Sequence, residues 1–151
     1  MIVGMVALRD VIASDIEVFY EFEADPVANE MAAFPARDRA AHEAHWAKIV
    51  PDPACVTRTI VDADLVVGNI CSWVMDDERL VGYWIGREYW GRGFASQALQ
   101  LLVAEVVTQR PVFAHVVEQN LGSIRVLEKA AFSAVGRQTA GDVTEVVMKL
   151  S

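Results

Sequence analysis

The stretch Tyr83-Trp84-Ile85-Gly86-Arg87-Glu88-Tyr89-Trp90-Gly91-Arg92-Gly93-Phe94-Ala95 joins an apolar, strand-like run to a helix start through a glycine-rich turn. Such a turn suits an anion. Gly91 and Gly93 let the backbone approach a ligand closely, and the first N–H groups of a helix, unpaired within it and at its positive end, favour a pyrophosphate. Arg92 and Arg87 either add charge-assisted hydrogen bonds there or stand solvated beside the turn. By itself the pattern equally describes a tight turn with close helix packing. Two familiar phosphate binders do not fit. A dinucleotide fold needs a third glycine, where this chain has Ser96, and an acidic residue about 20 positions further on. A nucleoside-triphosphate loop needs Gly-Lys-Ser/Thr to close it, and that sequence is missing.

Other side chains invite chemistry less directly. Asn120-x-x-Ser123 is either an ordinary helix start or part of a ligand site. His42-Glu43-Ala44-His45 spaces its histidines three apart, whereas a zinc-protease helix needs four, and no third ligand is evident; no metal is expected. Phe34, Trp46, Trp73 and Trp84 either fill the core or line an acceptor pocket.

The elements that must position these residues follow from hydrophobic periodicity. Alternation predicts a strand over residues 6–9, and Ser14 with Glu17, at capping-box spacing ahead of Ile16, Phe19 and Tyr20, predicts a helix after it. Asp25-Pro26 breaks that helix, Pro35 marks a loop, and a second helix spans about residues 39–50 before Pro51 and Pro53. Runs at 55–61, 65–74 and 80–85, separated by Asp-rich turns, read as an antiparallel meander. A helix from Phe94 carries Ala95, Ala98, Leu99, Leu102, Val103 and Val106 on one stripe; after Pro111 a strand covers 112–117. A helix over 121–131 points Ile124, Leu127 and Ala131 inward, and the tail forms a hairpin turning at Gly141-Asp142. The expected fold is α/β (α+β), a mixed, mostly antiparallel sheet with flanking helices, in one domain over residues 1–151.

On two motifs in register, Trp90-Gly91-Arg92-Gly93-Phe94-Ala95 and Asn120-x-x-Ser123 with Val126 to Phe132 behind it, the chain resembles the GNAT acetyltransferase superfamily. Within that superfamily it is similar to the Rim-type branch of ribosomal-protein alanine acetyltransferases. The resemblance implies that acetyl-coenzyme A is the cosubstrate and that the strands at 80–85 and 112–117 splay apart to admit its pantetheine arm. The cofactor contacts it implies are Tyr83, Trp84, Ile85, Trp90, Gly91, Arg92, Gly93, Phe94, Ala95, Asn120 and Ser123. One backbone amide would face the thioester oxygen, where fixed donors stabilise a developing oxyanion. The acceptor amine must lose a proton before it can attack, which calls for a base or a water chain. His115, five residues before Asn120 where some relatives carry a cleft-facing glutamate, is the first candidate, and its ordinary pKa of about 6.5 suits the task. Glu118 is the second. Many relatives use a tyrosine seven residues after the asparagine as the acid; here Leu127 stands there, which places that role on Ser123. The glycine usual before the closing phenylalanine is Ala131.

Composition bounds the rest. The chain has 151 residues, 54% of them hydrophobic, enough for a continuous core. Thirteen basic against twenty-one acidic residues give a net charge of −8, which disfavours nucleic acid as a partner. Seven carboxylates and no Lys or Arg fall within residues 10–30, which suits either attraction of a cationic amine or a solvated helix face. No apolar run approaches the roughly 18 to 20 residues that span a bilayer, and no signal-like leader is seen, so a cytoplasmic protein without a membrane segment is expected. Cys55 and Cys71 are expected to lie away from the two motifs, with no covalent cysteine route. The expectation is acetyl transfer to an amine, in a small molecule or at a protein N-terminus. A non-catalytic acyl-coenzyme A sensor, a nucleotide-phosphate binder and self-association into a homodimer stay open.

Overall fold

The computed structural model describes residues 5–151, in which seven strands form one sheet. Chain order is β1 (Val6–Arg9), α1 (Ala13–Glu23), α2 (Pro26–Ala32), α3 (Arg39–Ile49), β2 (Val56–Asp62), β3 (Leu65–Met75) and β4 (Glu78–Ile85). After a turn come α4 (Phe94–Leu101), β5 (Val112–Val117), α5 (Leu121–Lys129), β6 (Ser133–Ala140) and β7 (Val143–Leu150). The sheet order is β1-β2-β3-β4-β5-β7-β6, antiparallel throughout except for the parallel pair β4 and β5. The expected meander and terminal hairpin are both present, with Asp76 and Asp77 at positive φ in the two-residue β3–β4 turn and Gly141 in that of β6–β7.

Neighbouring residues of a strand point to opposite faces. Trp84 donates from Nε1 to the Phe22 carbonyl of α1 (3.2 Å), while the hydroxyl of Tyr83 reaches Ser123 of α5, so α1 and α5 lie on opposite faces of the sheet. The main core forms where α4 and α5 meet the strands, around Ile70, Val81, Ala98, Leu99, Leu102, Val112, Leu127 and Met148. On the other face α1 and α3 pack together through Phe19 and Trp46, ring centroids 4.9 Å apart.

Several boundaries depart from the sequence reading. The first helix starts at Ala13, not after Ser14, because Asp15 reaches back to the Ile12 N–H (2.9 Å). Arg9 Nη1 and Nη2 (2.7 and 2.9 Å) and Thr59 Oγ1 (2.8 Å) also donate to this buried carboxylate. Asp25-Pro26, read as a break, instead opens α2: Asp25 caps by accepting from Val27 N, and Pro26 takes the first helical position, where its missing N–H costs nothing. After Leu101 the helix widens into one π turn over Leu102–Val106, closed by Val107 N donating to Leu102 O (2.7 Å). The last helix stops at Lys129, and Ala131 faces solvent rather than the core. Ala131 has φ +72°, and Phe132 N donates to Leu127 O, the helix-ending arrangement that glycine usually serves. Among the described residues no helix is long and apolar enough to cross a membrane.

Candidate functional site

Strands β4 and β5 are held together at only two residue pairs, Arg79 with Val112 and Leu80 with Phe113. Beyond them the strands part, as the splay expectation required, and backbone groups of both edges turn into a gap without a partner strand. Two cavities flank that gap. One, of about 460 Å³, runs from the glycine turn to α5; the other, of about 560 Å³, lies between the sheet, α1 and α3. They share Ala32, Tyr83, Trp84, Asn120 and Ser123.

The first cavity is closed at one end by the start of α4. Gly91 and Gly93 have φ of +77° and +78°, left-handed values that side chains other than glycine adopt at a cost. A Cβ at Gly91 would meet nothing within 4 Å, so conformation, not crowding, requires glycine there. The first helical amide to find its partner is Gln97 N, donating to Gly93 O (3.1 Å), which leaves earlier amides at the helix's positive end available to an anion. Trp90 pins the turn by donating from Nε1 to Ile85 O (2.9 Å). Of the cofactor contacts expected from sequence, all but Arg92 line this cavity. Arg92 lies over the Tyr89 ring, 5.8 Å from its centroid, and Arg87 pairs with Asp25 (2.8 Å). The cations that do line the cavity are Arg125 and Lys129 on α5, which the sequence reading missed. Their spacing of four on a predicted helix, which puts them on one face, was the available signal.

At the junction Asn120 caps α5, accepting from Ser123 N (3.2 Å), and Tyr83 Oη lies 2.6 Å from Ser123 Oγ. Burial pushes the Tyr83 phenol up to about 12, outweighing the opposing hydrogen bond from Ser123, so it stays protonated near neutrality. Sequence offered Tyr83 only as a backbone contact; the structure adds its hydroxyl. Leu127, at the position where the resemblance led a tyrosine to be expected, is buried in the core.

The second cavity is walled by Phe34, Trp46, Trp73 and Trp84, so all four aromatics line a chamber, Trp46 while also packing the core. His115 lines it too, with Gln138 Nε2 lying 3.0 Å from its Nδ1. Glu118 lines neither cavity and pairs with Arg137 at the surface (3.1 Å). His45 also faces the chamber, whereas His42 is buried against the Ile16 carbonyl, 2.9 Å from its Nε2. Burial, with Arg37 nearby, holds His45 below its ordinary value. Cys55 and Cys71 line this chamber and not the cavity at the glycine turn, Cys71 because the alternation of β3 turns it there. Burial raises both thiols, Cys71 to about 12, so neither is a ready nucleophile. The acidic run divides: Asp15 is structural, Glu17 pairs with Arg39, and Glu23 alone lines the chamber. Burial raises Glu23 to about 7 despite Arg37 and Asn69 nearby, a position the sequence reading did not single out.

Residues 6–133 match the family model described as the acetyltransferase (GNAT) domain. An uncharacterized N-acetyltransferase p20 of Bacillus licheniformis is 33% identical over 84 residues, which cover 51% of this chain and 47% of that protein, so the match spans about half of the curated relative. Among solved structures, a GNAT-family acetyltransferase from Bacillus anthracis superposes with a TM-score of 0.82 at 15% identity, covering 99% of this chain and 96% of the other. A spermidine N-acetyltransferase from Vibrio cholerae, in complex with CoA and spermine, does so with a TM-score of 0.83 at 15% identity over 97% and 95% of the two chains.

Proposed function

The chain belongs to the GNAT acetyltransferase domain family, and from that premise we propose that it transfers an acetyl group from acetyl-coenzyme A directly to a primary amine, as a single domain of the Rim-like branch. The observation that carries this reading is a pair of cavities beside the β4–β5 gap, one reaching the start of α4 and the other walled by aromatics, with the hydrogen-bonded Tyr83 and Ser123 lining both. Its parts match what such a transfer requires. The glycine turn, Arg125 and Lys129 offer amides and cations to a diphosphate. Backbone N–H groups of β4 near Tyr83 and Ile85, beyond the last residue pair with β5, offer hydrogen bonds to a pantetheine arm and to a thioester oxygen. Ser123, backed by Tyr83, is placed to give a proton to a departing thiolate. The aromatic chamber is the acceptor side, and of the two bases the sequence offers, His115 lies on it. The spermine in the Vibrio cholerae relative favours an amine acceptor of some kind.

The test is direct. Acetyl-coenzyme A should raise the melting temperature, and a panel of amines and peptide N-termini should release free coenzyme A above background hydrolysis. Stabilisation with no release for any amine favours an acyl-coenzyme A sensor. Stabilisation by ATP or NAD but not by coenzyme A discards the proposal.

A further inference from the structure

Three buried side-chain polar atoms lack a hydrogen-bond partner among the described residues: Glu23 Oε2, Trp46 Nε1 and Asn69 Nδ2. All three belong to residues lining the second cavity. An unpaired buried polar atom costs about 1–3 kcal/mol, and folded proteins carry few of them. Asn69 stands beside the Glu23 carboxylate and opposes its raised pKa, yet neither Glu23 Oε2 nor Asn69 Nδ2 reaches a partner, and Trp46, lining the same chamber, leaves its Nε1 unpaired as well. A ligand carrying both a cation and an oxygen would satisfy all three atoms.

Their chemical types describe that ligand. Glu23 ends α1, with its side chain 12% exposed, and Arg37 Nη1 stands 3.7 Å from its other oxygen, too far for a good hydrogen bond. A carboxylate at a helix C-terminus, in aromatic surroundings, gains most from a cation. Trp46 and Asn69 present donors, so the same ligand must also carry an acceptor.

Resting on the acetyltransferase reading, we infer that Glu23 binds the ammonium of the acceptor and takes its proton, while Trp46 Nε1 and Asn69 Nδ2 hold an oxygen of the same molecule. The substrate class is a primary amine with a carbonyl, carboxylate or hydroxyl oxygen near the nitrogen, on an apolar stem that Phe34, Trp73 and Trp84 enclose. A plain polyamine offers only donors and leaves two of the three atoms unsatisfied.

The protons balance. One passes from the ammonium to Glu23 Oε2, and the freed lone pair attacks the thioester carbonyl carbon. As the C–S bond breaks, Ser123 Oγ gives a proton to sulfur and recovers one from the newly acylated nitrogen. Glu23 then releases its proton to solvent, so each turnover yields one amide, one thiol and one proton. The charged and titratable groups sharing the chamber are Arg37, His45 and Lys48 around α3, Asp52 and Cys55 after it, Cys71 and Tyr83 on β3 and β4, and His115 and Glu145 on β5 and β7. Cys71 and Tyr83 are raised to about 12, and Glu23 to about 7, so the carboxylate changes charge in the neutral range and those two do not.

The experiment compares wild type, Glu23→Gln, Glu23→Asp and His115→Gln with phenylalaninamide, phenethylamine and spermine. Transfer is followed by coenzyme A release across pH, and amine binding to the coenzyme A-loaded protein by calorimetry. The expected result is that Glu23→Gln lowers kcat/KM for phenylalaninamide by about a hundredfold or more. It loses the rise in rate near pH 7 and binds the amine about tenfold more weakly, with KM for acetyl-coenzyme A unchanged; Glu23→Asp recovers part of the rate and the rise. Phenylalaninamide should surpass both other amines. The assignment is overturned if Glu23→Gln binds and transfers as wild type does, if His115→Gln alone removes the rise, if spermine is preferred, or if no amine binds. Binding of phenylalaninamide that depends on Glu23 without transfer would support the amine site while ending the acetyltransferase reading.

Discussion

Replacing Glu23 by Gln should stabilise the protein in alkaline solution, by an amount that follows from how far burial raises its pKa. Burial raises this carboxyl from its ordinary 4.5 to about 7, the nearby Arg37 and Asn69 offsetting only part of that. The folded state therefore holds the proton more tightly than the unfolded chain, so the stabilising contribution is complete below pH 4.5 and is lost as pH rises through about 7. Each pH unit of separation corresponds to about 1.4 kcal/mol, so ionised Glu23 costs about 3 kcal/mol at pH 8 and under about 1 kcal/mol at pH 5. Glutamine has nearly the shape of the protonated acid and never ionises. Urea unfolding at the two pH values should find Glu23→Gln more stable by about 3 kcal/mol at pH 8, a rise of roughly 6 to 12 °C in Tm for a chain of this size, and near parity at pH 5. A variant no more stable than wild type at pH 8, or a difference that does not change with pH, would refute the argument. A group kept at such cost fits a binding role better than a structural one.

Other perturbations test separate parts of the construction. Asp15→Asn should lose about 3 kcal/mol in denaturant unfolding, because it strands Arg9 and weakens the contacts to Ile12 and Thr59. Burial pushes Asp15 up, but the Arg9, Ile12 and Thr59 hydrogen bonds prevail and hold it below 3.8, so its contribution is present above that value and fades as pH falls below it. Ala131→Gly should add about 1 kcal/mol to stability by relieving a left-handed alanine; a loss, measured the same way, would contradict the strain at φ +72°. Lys129→Ala should raise KM for acetyl-coenzyme A roughly fivefold, equivalent to about 1 kcal/mol, with kcat unchanged. Tyr83→Phe and Ser123→Ala should each lower kcat by about a hundredfold, and the double variant no further, as expected of residues acting as one unit.

What could be read from the sequence was set locally. The positive φ at Gly91 and Gly93, the cap at Asn120 and the two-residue turns each depend on a few neighbouring residues, and both motifs fell where the chain closes the cavity. Asp25-Pro26 was legible too, as cap and first helical residue, but was read for its power to stop a helix instead. What escaped depends on register and rotation. Nothing local separates Glu23 from the other six carboxylates of its run; only the seating of α1 on β3 brings it beside Asn69. The Tyr83 hydroxyl became visible once strand alternation aimed it at α5, and Cys71 reached the chamber by the same rule on β3. Arg92, inside the motif, lies over the Tyr89 ring instead of lining the cavity, and the cations that line it, Arg125 and Lys129, come from another helix.

The two residue pairs between β4 and β5 have a mechanical consequence. Every strand before the glycine turn lies on one side of this weak seam and every strand after it on the other, like two leaves joined by a short stitch. The leaves interlock because α4, which belongs to the later half of the chain, packs under β1, β3 and β4 of the earlier half. Cutting the chain between Gly91 and Gly93 would therefore leave two fragments that need each other's core to close, and any molecule lying along the seam and gripping both edges would act as the missing rungs of the ladder.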